Sequence, residues 1–278
     1  MSMIAYLGPK KTNTHEAAIA RFGRRAKYIH APTIDDVFYL VERRVADYGV
    51  VPVENSLQGA VTHTLDRFID FIDTPVYIHG EIQRPIRHYL IMKRRWRLQD
   101  VKIVFSHPQA LAQCRRWISQ RLPHAIRREV DSTARAVWIA LHGSRVPAAA
   151  IGRRELASGH NVKVRARSIS LELENRTRFL ILGLGEQSIP GRRKNKTSIL
   201  FSLKDKPGAL HDALVPFRRH QLNLTKIESR PSKRKAWEYY FFIDVEGHVS
   251  SLRMTRALRT LKARTTHFRI LGSYPIGR

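Results

Sequence analysis

Three polar side chains in a row, Glu54, Asn55 and Ser56, follow directly on an apolar run, Val50-Val51-Pro52-Val53. An acid, an amide and a hydroxyl at the carboxyl end of a buried strand are placed to bind a ligand, because open α/β sheets receive ligands beyond those ends. Ser106 with His107, and Asp131 with Ser132 and Thr133, repeat the pattern. Asn175, Thr177 and Arg178 instead lead into an apolar strand, Phe179 to Gly183. A threonine beside a guanidinium can donate a hydrogen bond to an oxygen that grows more negative as its bond breaks. Taken alone, a threonine opening a strand is ordinary β propensity.

Thr14, Ser56, His107, Ser132 and Thr133 stand near expected helix starts. Free N–H groups and the helix dipole favour anions there. Singly, each reads best as a cap; clustered at strand ends, they point to a small polycarboxylate. Cys114, between "QALAQ" and "RRW", reads as a buried, inert thiol in a packed helix. The 13 histidines show no zinc-like spacing with cysteine, so no metal is expected. "LGPKK" has too few glycines for a phosphate loop.

The elements that must carry these groups alternate through about residue 183. "MIAYLG" (3–8), "YGVVPV" (48–53), "KIVFS" (102–106), "AAAIG" (148–152) and "RFLILG" (178–183) read as strands, and 76–93 as a long one interrupted at Pro85. Helices are expected over 14–23, with Thr14 as N-cap and Gly23 as C-cap, and after Thr33, with Val37, Leu40, Val41 and Val45 on one face. Val61, Leu65, Phe68, Ile69 and Ile72 share another helical face, and helices follow from Pro108 to about Arg121 and over 132–143. Such alternation predicts an α/β fold with parallel strands and helices on both faces. "LGEQSIPGRRKNK" (184–196) reads as a linker. Beyond it, strand 197–203, helix 208–220, strands 224–230 and 237–245, helix 250–263 and strand 267–274 give the ferredoxin-like order βαββαβ.

The chain has 278 residues, 43% of them hydrophobic, enough for one large or two ordinary domains. No run approaches 18 apolar residues and "MSMIAYLG" has no signal-peptide character, so neither a membrane partner nor export is expected. A single cysteine fits a reducing cytoplasm. The net charge of +27 sits in short clusters such as 93–97, 192–196 and 233–235. No nucleic-acid-binding signature accompanies them, which argues against nucleic acid as partner and leaves a solvated surface or attraction of an anionic substrate.

The sequence resembles prephenate dehydratase over nearly its whole length. "GVVPVENSLQGAV" (49–61), "SHPQALAQC" (106–114), "DSTARA" (131–136) and "NRTRFLILG" (175–183) resemble that family's catalytic motifs, in its order. "KDKPGALHDAL" (204–214) and "NLTKIESRP" (223–231) resemble its regulatory ACT domain. The resemblance implies a catalytic domain at 1–185, a linker at 186–196 and an ACT domain at 197–278. It further implies two α/β subdomains arranged as in periplasmic binding proteins, with a cleft between them. No chorismate mutase segment precedes the motifs, so a monofunctional form is expected.

The implied catalytic residues are Thr177, Arg178 and Glu54, with Arg178 either orienting Thr177 or forming a structural salt bridge to Glu54. The implied substrate contacts are Thr12, Thr14, Asn55, Ser56, His107, Gln109, Ser132, Thr133, Asn175 and Phe179. Phenylalanine, as feedback effector, would meet Pro207, Gly208, Ala209, Leu210, Asn223, Glu228, Ser229, Arg230 and Pro231. Assembly into a homodimer or homotetramer through ACT domains follows from the same resemblance, with no metal or organic cofactor. Three positions depart from it: Lys11 where the family has glycine, Asn13 where it has phenylalanine, and Arg153 where serine is common. Lysine resists the positive φ that glycine allows. The expected function is therefore a phenylalanine-regulated dehydratase acting on prephenate. A weakened homologue that senses phenylalanine, an arogenate-preferring enzyme and a nucleic-acid-associated ACT protein are the alternatives.

Overall fold

The computed structural model describes residues 1–70, 72–158, 160–164, 168–169, 175–186, 194–232 and 237–277. Most of the expected linker, residues 192–193 of the basic cluster at 192–196 and the cluster at 233–235 lie outside them. The described chain groups into two compact units, residues 1–84 with 176–278, and residues 85–175.

The first unit begins with β1 (Met3–Leu7), α1 (Asn13–Phe22), β2 (Lys27–Ala31), α2 (Ile34–Glu42), β3 (Tyr48–Asn55), the short β4 (Gly59–Ala60), α3 (Thr62–Asp70) and β5 (Val76–Pro85). Helix α1 is capped by Thr12, whose hydroxyl accepts from the His15 N–H at 3.2 Å. The expected cap, Thr14, lies inside the helix and is buried. Helix α2 has the full capping box: the Thr33 hydroxyl accepts from the Asp36 N–H, and the Asp36 carboxylate accepts from the Thr33 N–H. Its buried stripe is Ile34, Val37, Phe38 and Val41. Val45 falls beyond the helix and is exposed, so the apolar periodicity overran the helix end.

The second unit holds β6 (Tyr89–Lys93), β7 (Ile103–Ser106), α4 (Pro108–Gln113), α5 (Arg115–Arg121), β8 (Ile126–Glu129), α6 (Thr133–Trp138), β9 (Ala148–Gly152) and β10 (Val162–Val164). The helix expected from Pro108 to Arg121 is broken at Cys114, which leaves helical geometry at φ −102°, ψ 5°. Cys114 itself is buried, as expected. Helix α6 passes into a π-helical turn over Ile139–Gly143.

The chain then returns to the first unit as β11 (Arg176–Leu184) and continues as β12 (Asn195–Ser202), α7 (Ala209–Arg219), β13 (Leu224–Pro231), β14 (Tyr239–Glu246), α8 (Leu252–Lys262) and β15 (His267–Pro275). The last six elements form the expected βαββαβ, with strand order β13-β14-β12-β15.

The first two sheets are mixed, not parallel. Their orders are β2-β1-β3-β11-β5, with β4 on β3, and β10-β6-β9-β7-β8. β1 runs parallel to β2 and β3, and β7 runs parallel to β8 and β9. β11 is antiparallel to β3, and β6 to β9. Parallel neighbours need a crossover. β11 instead re-enters the first unit after the whole second unit, and no helical crossover dictates its direction.

The first sheet buries both faces. On one, Ile4, Tyr6, Val50, Phe179 and Ile181 pack with Ala17 and Ala18 of α1. On the other, Val51, Val53, Leu180 and Leu182 join Phe38 and Phe68 in a core that also takes in Leu200, Tyr240, Phe242, Leu271 and Tyr274 of the third sheet. Burial of each such large apolar side chain contributes on the order of 2 kcal/mol. The third sheet is therefore fused to the back of the first through a shared core. At Gly272 a Cβ would collide with the Ile78 carbonyl, so glycine is required for this backbone approach.

Candidate active site on strands β3 and β11

Thr177 lies opposite Asn55, and Arg178 opposite Glu54. One residue on, Phe179 pairs with Pro52, so Val53 is an extra residue in β3. This bulge resets the alternation of side chains. Val51 and Val53 face the shared core, and Glu54 also turns toward that side, to Arg178. Asn55 is thereby delivered to Thr177 on the other face.

The Asn55 amide nitrogen donates to the Thr177 hydroxyl oxygen at 3.0 Å and to the Arg176 carbonyl at 3.3 Å. Its amide oxygen accepts from the Leu57 N–H at 3.0 Å. The carbonyl and the N–H settle which way the amide points. Thr177 thus accepts through its oxygen, and its own proton is left to donate outward. Ser56 completes the turn: its N–H donates to the Arg176 carbonyl and its hydroxyl accepts from the Arg176 N–H, both at 2.9 Å.

Arg178 and Glu54 do not join Thr177; they sit on the opposite face. The Arg178 guanidinium meets Asp244 of β14 at 2.6 Å, Glu81 at 3.6 Å and Glu54 at 3.7 Å. Lys226 of β13 reaches Glu54 at 3.2 Å, and Lys196 of β12 reaches Glu81 at 3.1 Å. Three carboxylates thus balance three cations; all but the one-third-exposed Glu54 are nearly dry, and such pairing is the condition under which buried charge is tolerated. Burial pulls the Arg178 pKa down, but the Asp244 and Glu81 carboxylates outweigh it and push it above its ordinary value. The neighbouring Tyr274 phenol is raised well above its usual range by burial and by Asp244, so it stays neutral.

Of the other expected site residues in this unit, Thr12 caps α1, Thr14 is buried in it and Phe179 is core. Lys11 adopts φ 65°, a left-handed conformation that favours glycine, and its N–H donates to the His15 ring at 3.0 Å. Asn13 is the first residue of α1.

In the second unit, His107 caps α4, accepting from the Gln109 N–H at 3.3 Å. Ser132 caps α6, accepting from the Arg135 N–H at 3.1 Å, and Thr133 opens that helix. Asn175 is buried, and its side chain donates to the Gln113 amide oxygen at 3.0 Å. That oxygen also accepts from His88 at 2.7 Å. Burial, together with the positive charge of Arg153, lowers the His88 pKa despite this hydrogen bond.

In the third sheet, Gly208 takes φ 76° before α7, a conformation suited to glycine, with Pro207 ahead of it and half-buried Ala209 and Leu210 after it. Asn223 donates to Glu246. Glu228, Ser229, Arg230 and Pro231 lie on the edge strand β13. Arg230, expected at an effector site, makes a two-pronged contact with Asp66 of α3, at 2.8 and 3.0 Å. Glu81, Lys196, Lys226 and Asp244 were not singled out by sequence reasoning. The only local hint was a charged residue at an apolar position of a strand, as with Asp244 in "YYFFIDVE".

A family model for prephenate dehydratase matches residues 4–187, and one for the ACT domain matches residues 197–263. The bifunctional chorismate mutase/prephenate dehydratase of Aquifex aeolicus is 47% identical over 272 residues, 98% of this chain and 73% of that protein. The prephenate dehydratase of Methanocaldococcus jannaschii is 39% identical over 90% of this chain and 88% of that protein. The crystal structure of prephenate dehydratase from Arthrobacter aurescens in complex with L-Phe superposes with a TM-score of 0.87 at 32% identity, covering 98% of this chain and 89% of that one.

Proposed function

This chain belongs to the prephenate dehydratase family, and from that premise we propose that it converts prephenate to phenylpyruvate with Thr177 as the group that assists departure of the hydroxyl. In this reaction the ring-carboxylate bond breaks and carbon dioxide leaves. The electron pair passes through the ring, and the carbon–oxygen bond at the far ring carbon breaks. The departing hydroxyl takes up one proton from solvent and leaves as water. Aromatisation drives the step, so a hydrogen bond from a weakly acidic threonine suffices and no metal or organic cofactor is required.

The observation that carries the reading is the Asn55–Thr177 hydrogen bond, which commits the threonine to donate. Asn55, Ser56, Thr12, Thr14 and Phe179 are the residues of this unit that the reading assigns to substrate, Thr14 and Phe179 from buried positions. His107, Gln109, Ser132, Thr133 and Asn175 are the corresponding residues of the second unit, and the two helix starts there suit carboxylate oxygens. Arg178 and Glu54 act from behind the strands. Lys11 in the glycine conformation supports an intact loop, which favours the enzyme over a weakened sensor.

We take residues 1–185 as the catalytic domain and 197–278 as the regulatory one. L-Phenylalanine binds the latter near Gly208–Leu210 and Glu228–Pro231 and lowers turnover. The motif at Gly208 and the phenylalanine complex of the Arthrobacter relative support this. The outer edge of β13, unpaired among the described residues and with Ile227 48% exposed, supports homo-oligomers built on this domain. A cytoplasmic location fits a biosynthetic enzyme, and no helix among the described residues is long and apolar enough to cross a membrane. Purified protein supplied with prephenate should form phenylpyruvate, less so with L-phenylalanine present. No product from a folded chain would overturn the catalytic reading.

A further inference from the structure

We propose that Lys226 and Asp244 are positioning residues for the reaction: they hold the Asn55–Thr177 pair from behind, through Glu54 and Arg178. The geometry is paired on both levels. Lys226 and Asp244 lie opposite each other across β13 and β14. Each reaches a different strand of the first sheet, Lys226 to Glu54 of β3 and Asp244 to Arg178 of β11. Glu54 and Arg178 are themselves opposite each other, and their chain neighbours are Asn55 and Thr177. Two strands of the third sheet therefore grip the two strands whose register sets the 3.0 Å hydrogen bond.

Stability alone does not call for this arrangement. The Lys226 side chain is 7% exposed and the Asp244 side chain 5%, in a face otherwise built from Val53, Leu180 and Phe242. Apolar residues commonly replace such buried ion clusters without loss of stability, whereas ion pairs fix direction and register. A small cavity lined by Arg178, Lys226, Asp244, Ser198, Val53 and Phe242 lies among these groups.

The arrangement also supplies a route for regulation, a part that rests on the proposed phenylalanine response. Lys226 precedes Glu228 by two residues on β13, and β13 is the edge strand of its sheet, paired with β14 alone among the described residues. An effector that moves Glu228–Pro231 moves Lys226 with them, then Glu54 and Asn55.

The test compares Lys226→Met, Lys226→Arg and Asp244→Asn with the wild-type chain. It measures kcat and KM for prephenate per folded chain, and L-phenylalanine binding by calorimetry. Lys226→Met and Asp244→Asn should lower kcat about tenfold with KM within about twofold, because misplacement of a catalytic group acts on the chemical step. Lys226→Arg, which keeps the charge, should restore most of kcat. In Lys226→Met phenylalanine should still bind but change turnover far less than in the wild type.

Wild-type kcat together with wild-type inhibition in both charge-removing variants would overturn the proposal. So would losses in Lys226→Met and Lys226→Arg that are equal and follow only the folded fraction. If Lys226→Met fails to fold, the near-isosteric Asp244→Asn decides by the same kcat–KM split. If the wild type itself ignores phenylalanine, the regulatory reading fails, and the positioning claim is still judged by kcat and by the arginine rescue.

Discussion

Asn55 stands opposite Thr177, and Glu54 opposite Arg178, because Val53 is an extra residue in β3. Without that bulge, strict alternation would turn Asn55 toward the face of Val51 and Val53, and Glu54 toward the threonine. The site would then hold a carboxylate, which accepts from the threonine, where it now holds an amide that donates to it.

Asn55→Asp tests this polarity. The carboxylate should draw the Thr177 proton inward and leave nothing to donate outward. We expect kcat to fall about 100-fold, comparable to losing one oxyanion donor, with the fold intact by circular dichroism. Thr177→Val should match it, and Thr177→Ser should retain most of the rate. Wild-type kcat in Asn55→Asp would show that the direction of this hydrogen bond is immaterial.

Lys11→Gly should stabilise the protein. A side chain at φ 65° costs about 1–2 kcal/mol, and glycine returns part of that gain to the unfolded chain. A net gain of up to about 1 kcal/mol is expected in denaturant unfolding, with turnover preserved. A clear loss of stability would mean that the lysine side chain is a structural contact.

Gly272→Ala should do the reverse. Its methyl would strike the Ile78 carbonyl, a backbone atom that cannot swing aside. Separation of β15 from β5 should cost about 1–3 kcal/mol, read as a lower Tm.

His88 sets a pH dependence. Burial lowers its pKa in the folded chain, so below the unfolded value of about 6.5 the unfolded state binds more protons. Stability should therefore fall as pH drops through and below that value and be fully present above it. His88→Gln should flatten the slope below about pH 6.5. An unchanged slope would place the acid sensitivity elsewhere.

Much of this molecule was determined by short-range patterns that its sequence carries openly. The Thr33–Asp36 capping box needs only residues three apart, and the βαββαβ order after residue 195 follows from local alternation and turn chemistry. The family motifs around Asn55 and Thr177 were likewise legible in the sequence. Sequence reasoning placed the cap of α1 two residues late and let Val45 extend a helix, because periodicity marks a face better than an end.

Tertiary structure alone decided which face each polar residue took. The bulge at Val53 exists only against β11, more than a hundred residues away, which returns from the second unit and pairs antiparallel with β3. The partners of Glu54 and Arg178 lie on β13 and β14, where a charged residue such as Asp244 among apolar strand positions hints at a buried partner but does not say which one. Local sequence states which side chains are present; only the packed strands set the register in which they meet.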